Sequence, residues 1–409
     1  MDKNLLLGLI EKQFLFLFPL TVIFFSPTKY FLGTLSLPDI FIYVQLVVFI
    51  FYALLKNSFV LNKATVLFVV LIIFSFITLV INESIDLTPK FKYQLRWYNY
   101  FFAFLFTINY INNINFGSLK KGVYLATFIV CIYGIVQTVF IKQMLFTIFW
   151  IDNFPDYITQ SFRTYSTFDN PLNLCSFLAF PLGLLQYEEV KKLKLKVLLV
   201  LIYATLILTG SKIALVLILV TFLIYFKKHI KTIIYSLIAA LLVFFVLSKN
   251  LAFQELVKTT KVYERISDPK IFEGSLNQRK YMLEASIQMM KDNPIWGIGY
   301  ENFGKVYLNG YKNEKADNDE QFFTAENFFL DFHLDNGLIP LLIILLFLAG
   351  VFLTYYMKKD SFNSQLTFPI ILYLITGMIM SARSTPLLFT FFFFLAAYFR
   401  LKPKMVINL

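Results

Sequence analysis

Charge, cysteine and histidine are all scarce in this chain of 409 residues. Charged residues make up only 15%, against roughly 25% in a soluble domain. Apolar residues make up 58%. That balance excludes a soluble globular domain and leaves an all-α, polytopic membrane protein in which the helices pack as one bundle. The two cysteines, Cys131 and Cys175, both lie in apolar runs, so neither a disulfide framework nor a thiolate metal site is on offer. His229 and His333 are the only histidines and stand too far apart to suggest a metal cluster. The first apolar segment lacks a small-residue cleavage site and is expected to be a retained helix, not a signal peptide. A net charge of +12 invites a nucleic-acid reading, but its distribution along the chain points to membrane topology instead.

What the chain has in abundance is apolar sequence of spanning length. A helix needs about 20 apolar residues to cross a bilayer. That ruler predicts about twelve transmembrane helices, near 13–33, 37–55, 64–82, 93–112, 119–141, 169–187, 194–210, 212–228, 230–249, 335–357, 365–382 and 384–400. With the N-terminus in the cytoplasm, eighteen of the 37 basic residues fall on short inner segments and eight on outer ones. The positive-inside bias therefore predicts that both termini are cytoplasmic in an inner-membrane, multi-pass protein. The chain divides into 1–249 with nine spans, a long external loop over 250–323, and 324–409 with three more spans.

The loop and its flanks hold the longest polar interruption. Ser275-Leu-Asn-Gln278 reads as a capping box, and Asn293-Pro294 as a stop, which predicts an amphipathic helix over 275–292. Leu283, Ile287 and Met290 fall on one stripe at helical spacing, with Arg279 on the same stripe. The stretch from Phe303 to Phe323, rich in Asn, Asp, Glu and Lys, reads as mobile. Other polar groups on the outer side are Arg163, the Thr209-Gly210-Ser211-Lys212 turn, and Arg383 in the last hairpin. No internal or inverted repeat is visible, which weakens a transporter reading.

Four of these segments together resemble the bacterial O-antigen ligase and O-antigen polymerase superfamily. Thr209-Gly210-Ser211-Lys212 is similar to the family's Thr-Gly-Ser-Arg turn. Arg279 followed by Pro294-Ile-Trp-Gly297-Ile-Gly299 is similar to its arginine and Pro-x-x-Gly-x-Gly signature. Glu326-Asn327 through Leu330 to Gly337 is similar to its His-Asn-x-x-Leu…Gly element, and Arg163 before Asn170-Pro171-Leu172-Asn173 to its arginine and Asn-Pro-Asn segment. The resemblance covers about 160–345. It implies a glycosyltransferase of C-type architecture that uses undecaprenyl-diphosphate-linked oligosaccharide as donor and acceptor and needs no cofactor. Membrane lipids, a chain-length regulator and a flippase of the same pathway would be its partners, with no role for nucleic acid. Lys212 replaces an arginine, keeping the charge without the bidentate fork. Glu326 stands where ligases carry histidine, which favours the polymerase branch over a ligase attaching finished glycan to another acceptor. A lipid-linked oligosaccharide flippase is the competing reading, and it should carry charges deep within helices.

The chemistry asks for cations that hold a leaving diphosphate and a base for the acceptor hydroxyl. With no metal-ligand cluster in the sequence, Arg279, Arg163, Lys212 and Arg383 are the candidates for the diphosphate, and Arg265 reads as an ordinary loop charge. Each could equally be an interfacial side chain reaching lipid headgroups. Glu326 is the candidate base, against the plainer reading of a carboxylate stabilising a helix N-terminus. Asp331 and Asp335 are alternative bases, and His333 and Asn327 candidate supports. Trp296 and Tyr300 are candidates to stack on sugar, and Asn327 to bind it.

Overall fold

The computed structural model describes residues 2–22, 37–57, 59–82, 87–139, 164, 166–168, 171–185, 193–249, 269–300, 302–312, 324–357, 361–379 and 385–401. The described chain is helical. In order the helices are α1 (Lys3–Val22), α2 (Leu37–Lys56), α3 (Lys63–Ile81), α4 (Leu87–Tyr110), α5 (Phe116–Val139), α6 (Pro171–Leu185) and α7 (Leu193–Leu208). They continue as α8 (Lys212–Ser248), α9 (Pro269–Asp292), α10 (Phe303–Val306), α11 (Phe328–Asn336), α12 (Leu338–Met357), α13 (Ser361–Ile379) and α14 (Thr385–Leu401). Among the described residues, α1, α2, α3 and most of α5 are long and apolar enough to cross a membrane; shorter apolar stretches recur in α6, α8, α12, α13 and α14.

Lipid gives helices no hydrophobic reason to associate, so close shape fit must hold the bundle. Small residues supply it at two crossings. Gly122 of α5 lies against the backbone of Phe16 in α1, and Gly183 of α6 against Phe368 and Pro369 in α13; a Cβ at either would overlap backbone. Phenylalanine fills the rest. Phe14, Phe18, Phe389 and Phe393 interlock α1 with α14, while Phe68 stacks on Phe104 at 5.1 Å and meets Phe392 edge-on at 4.7 Å. Outward-facing Phe51, Leu215 and Leu346 remain exposed, as expected of a face that lipid covers.

Three boundaries differ from the sequence reading. The first helix begins at Lys3, ten residues before the expected span, because Glu11 is not a solvent charge. It is buried against α2 and the α4–α5 link, where its Oε1 accepts from Tyr52 at 2.6 Å and Lys56 at 3.3 Å. Its Oε2 accepts from Asn112 and Asn115 at 3.1 and 3.0 Å. The expected eighth and ninth spans are one continuous helix, α8, of 37 residues. Lys227-Lys228-His229 contain no helix-breaking residue, so charge alone does not turn the chain. The expected tenth span is broken by Gly337, whose φ of +86° ends α11.

The two ends of α3 mark the two ends of the bundle. Near its start, Asn109 accepts from the Val60 amide at 2.6 Å, beside the Glu11 network. At its far end Thr78 donates to the Asn336 carbonyl of α11 at 2.8 Å. From end to end α3 is nineteen residues long, about 28 Å at 1.5 Å per residue, close to the thickness of a hydrocarbon core.

At that far end α11 lies across the bundle. Phe328 meets Tyr373 of α13 and Phe391 of α14, Phe332 meets Trp97 of α4 at 5.7 Å, and Asn336 reaches α3. The opposite side of α11 carries Leu330 and Leu334 into a second apolar cluster with Met282 and Met289 of α9. α11 is thus sandwiched between the bundle and α9.

Candidate active site

Arg279 owes its position to the buried face of α9. That helix begins at Pro269, six residues before the expected capping box, and ends at Asp292 as the Asn293-Pro294 stop requires. Among its described side chains Met282, Ala285, Ser286 and Met289 are buried, at the i, i+3, i+4, i+7 spacing of one face. The expected stripe through Leu283 is one position off, for Leu283 is exposed. Arg279 precedes Met282 by three and so stands at the outer end of the buried face. The Phe303–Tyr311 part of the stretch expected to be mobile is folded. Phe303 and Tyr307 stack at 6.1 Å and join the α9 cluster, and Tyr311 donates to Asp292 at 2.7 Å, which raises its phenol pKa.

The Pro294–Gly299 turn straps α9 to α11. The Leu334 carbonyl accepts from both Ile298 and Gly299, at 2.8 and 2.9 Å, and the Ile295 carbonyl accepts from Leu338 at 2.8 Å. His333 Nε2 donates to the Pro294 carbonyl at 2.8 Å, and Asn82 of α3 donates to the Trp296 carbonyl at 3.1 Å. Glycine is required by this approach: a Cβ at Gly297, where φ is +65°, would stand 2.5 Å from two α11 carbonyl oxygens. The glycine signature therefore carries architecture. It docks the arginine-bearing helix onto the helix that follows Glu326.

Glu326 meets Arg279 across that junction, with Nε to Oε2 at 3.8 Å. The side chains are 34% and 37% exposed respectively, open enough for a ligand to reach both. Glu326 Oε2 is nevertheless shielded from water and accepts no hydrogen bond among the described residues. Burial raises the carboxyl pKa; Arg279 opposes that rise and Asp331 adds to it. The backbone is unusual too, with φ of +56°, a left-handed conformation that costs a non-glycine residue about 1–2 kcal/mol. Glu326 is not the helix cap. Asn327 is, its Oδ1 accepting from the Phe329 and Leu330 amides at 3.0 and 3.2 Å. Its Nδ2 is used on the Met378 carbonyl of α13 at 3.1 Å.

The other candidates separate by where the fold places them. Asp331 is 1% exposed, and its Oδ1 accepts from the Ala325 amide at 2.6 Å; Asp335 is buried as well. His333 does not reach toward Glu326, because its Nε2 is committed to Pro294. Burial lowers the pKa of that imidazole. Trp296 and Tyr300 are part-buried in the strap. Lys212 stands exposed at the start of α8, after a turn made by Gly210 at φ +57° and capped by Ser211, whose Oγ accepts from the Ile213 amide. Thr164 donates to Leu208 at that turn, so the chain next to Arg163 is brought to it. Arg163, Arg383 and Arg265 themselves lie outside the described residues. Sequence reasoning missed Thr78 and Asn82, whose only signal is polarity at the end of an apolar helix.

The turn and the Arg279–Glu326 pair share one end of the bundle. α6 and α13 run antiparallel, with Phe180 on Tyr373, and Cys175 of α6 donates to Thr209 at the level where Met378 holds Asn327. Residues 197–345, which contain both, match the O-antigen ligase family. The match runs from within α7 into α12, and supports a likeness to the O-antigen ligase and polymerase superfamily. The apolar helices are those of a multi-pass membrane protein, and the matched segment is similar to that of O-antigen ligases. No curated protein matches it. Among the described residues no group of three or more His, Cys, Asp or Glu is placed to hold a metal ion.

Proposed function

We propose that the protein is a polymerase of cell-surface polysaccharide, acting on the outer face of the cytoplasmic membrane. It would transfer the growing glycan from undecaprenyl diphosphate to a hydroxyl of an incoming lipid-linked repeat unit. The bond from the anomeric carbon to phosphate oxygen breaks, and the new glycosidic bond forms to the acceptor oxygen. The acceptor proton passes to Glu326, and the diphosphate leaves against Arg279, with Lys212, Arg163 and Arg383 as further phosphate cations. A flippase would deliver the unit and a chain-length regulator would act on the same protein. The observation that carries this reading is the Arg279–Glu326 pair, with an unpartnered carboxylate oxygen beside a guanidinium at the rim of the bundle. A cation for the leaving group and a base of raised pKa are the two parts that metal-free glycosyl transfer requires.

The family match carries the word ligase, and that favours transfer of finished glycan to another acceptor as the second reading. Purified protein incubated with its own lipid-linked repeat unit, without added metal, separates the two. A ladder of products supports polymerisation, and no elongation without a second acceptor supports ligation. Arg279→Lys should be strongly impaired, since lysine cannot grip paired phosphate oxygens. Near-normal transfer by that variant would make Arg279 a headgroup anchor.

A further inference from the structure

Glu326 is held in a conformation that its own residue type disfavours, and something must hold it there. Four hydrogen bonds surround it. Asn327 caps α11 on the C-terminal side, the Glu326 amide donates to the Thr324 hydroxyl at 3.4 Å, and the Ala325 amide donates to Asp331 Oδ1 at 2.6 Å. Only the last is short and buried, and only the last comes from an ionisable side chain. Asp331 is one helical turn beyond the cap, reaching back over Asn327 to the residue that precedes Glu326. We propose that Asp331 is a positioning residue for Glu326, its carboxylate locking the Ala325–Glu326 backbone so that the glutamate side chain faces Arg279. The assignment rests on the reading of Glu326 as the base only for its consequence in catalysis; the positioning itself does not depend on it.

The charge of Asp331 has a second effect. The charged groups acting on Glu326 are Arg279 from α9 and Asp331 from α11; α13, which touches Asn327, carries no charged residue in its sequence. Glu326 is thus set between one cation and one anion. The anion favours the protonated form and the cation the ionised form. A carboxyl tuned upward in this way is a better match for proton transfer near neutral pH.

The test is an infrared titration of the full-length protein in lipid nanodiscs, with the Glu326 carboxyl band identified by its loss in Glu326→Gln. Asp331→Asn keeps an acceptor for the Ala325 amide and removes the charge, so the Glu326 midpoint should move to lower pH with the fold intact. Asp331→Ala removes the acceptor as well. In wild type, Arg279→Gln should move the Glu326 midpoint upward; in the Asp331→Ala background that response should disappear, because the glutamate no longer faces the arginine. An undiminished Arg279 response in Asp331→Ala overturns the proposal, and a response kept in Asp331→Asn but lost in Asp331→Ala supports it. Should Asp331→Ala fail to fold, wild type decides through the Ala325 amide, which should be protected from deuterium exchange; an unprotected Ala325 amide overturns the proposal. Wild type that transfers no glycan would sink the proposed function while leaving this titration result standing.

Discussion

At the scale of single residues, Glu326 combines a strained backbone with a carboxylate oxygen that accepts no hydrogen bond from the described residues. Both features oppose folding, and both suit a group kept ready for a substrate proton. Glu326→Gly removes a left-handed conformation worth about 1–2 kcal/mol against a non-glycine residue and loses only a partly exposed ion pair. The variant should therefore unfold no more easily than wild type in a denaturant titration, while losing glycan transfer. A clearly less stable glycine variant would mean that the side chain supports the fold. The pH dependence has a defined sign. The folded-state pKa of Glu326 is raised, so its contribution to stability is complete below the unfolded-state value and is lost as pH rises through the folded one. Activity runs the other way, since a base must be ionised. Stability should fall and transfer should rise over the same window, and Glu326→Gln should flatten that component of the stability profile.

At the scale of elements, the departures from expectation have one origin. Apolar run length does not report where a helix ends when a buried partner or a missing breaker decides it. α1 extends past its apolar run because Tyr52, Lys56, Asn112 and Asn115 satisfy Glu11. α8 continues past its basic cluster because no proline or glycine interrupts it. Spin labels at Leu219 and Leu241 test this directly. Along one helix they stand about 33 Å apart, whereas two antiparallel spans packed at 8–10 Å would bring the labels within about 20 Å. A short distance would restore the hairpin.

For the whole molecule, the polar equipment divides between two ends. The Glu11 network closes one end and fixes α1, α2 and the α4–α5 link, while α11, the Pro294–Gly299 strap and Arg279 occupy the other. The proposed orientation puts the strap outside the cell. A single cysteine at Leu308, which is exposed, should react with an impermeant maleimide added to intact cells, and one at Lys194 should not. Cys131 and Cys175 are buried and add little background. The reverse labelling pattern would place the site in the cytoplasm, away from lipid-linked glycan.

Composition alone determined the class, because 58% apolar residues cannot be buried in a soluble fold of this size. Helix positions in α2, α3, α5 and α7 were legible within a few residues, since an apolar run of fixed length is a local property. The motifs around Arg279, Gly297 and Glu326 were legible as a set of residues. Their arrangement was not. Periodicity placed Arg279 on the inward face of its helix but chose a stripe through Leu283 that the folded protein exposes, because which face is inward depends on α11. No local signal says that Gly297 exists to admit two carbonyls of α11, that Asn327 and not Glu326 caps the helix, or that His333 serves Pro294. Each of those depends on a neighbour 30 or more residues away in sequence or on a backbone angle that only packing can impose. The tertiary structure alone brought Arg279 to Glu326, because a hydrogen-bonded strap between two helices has no counterpart in the spacing of residues along the chain.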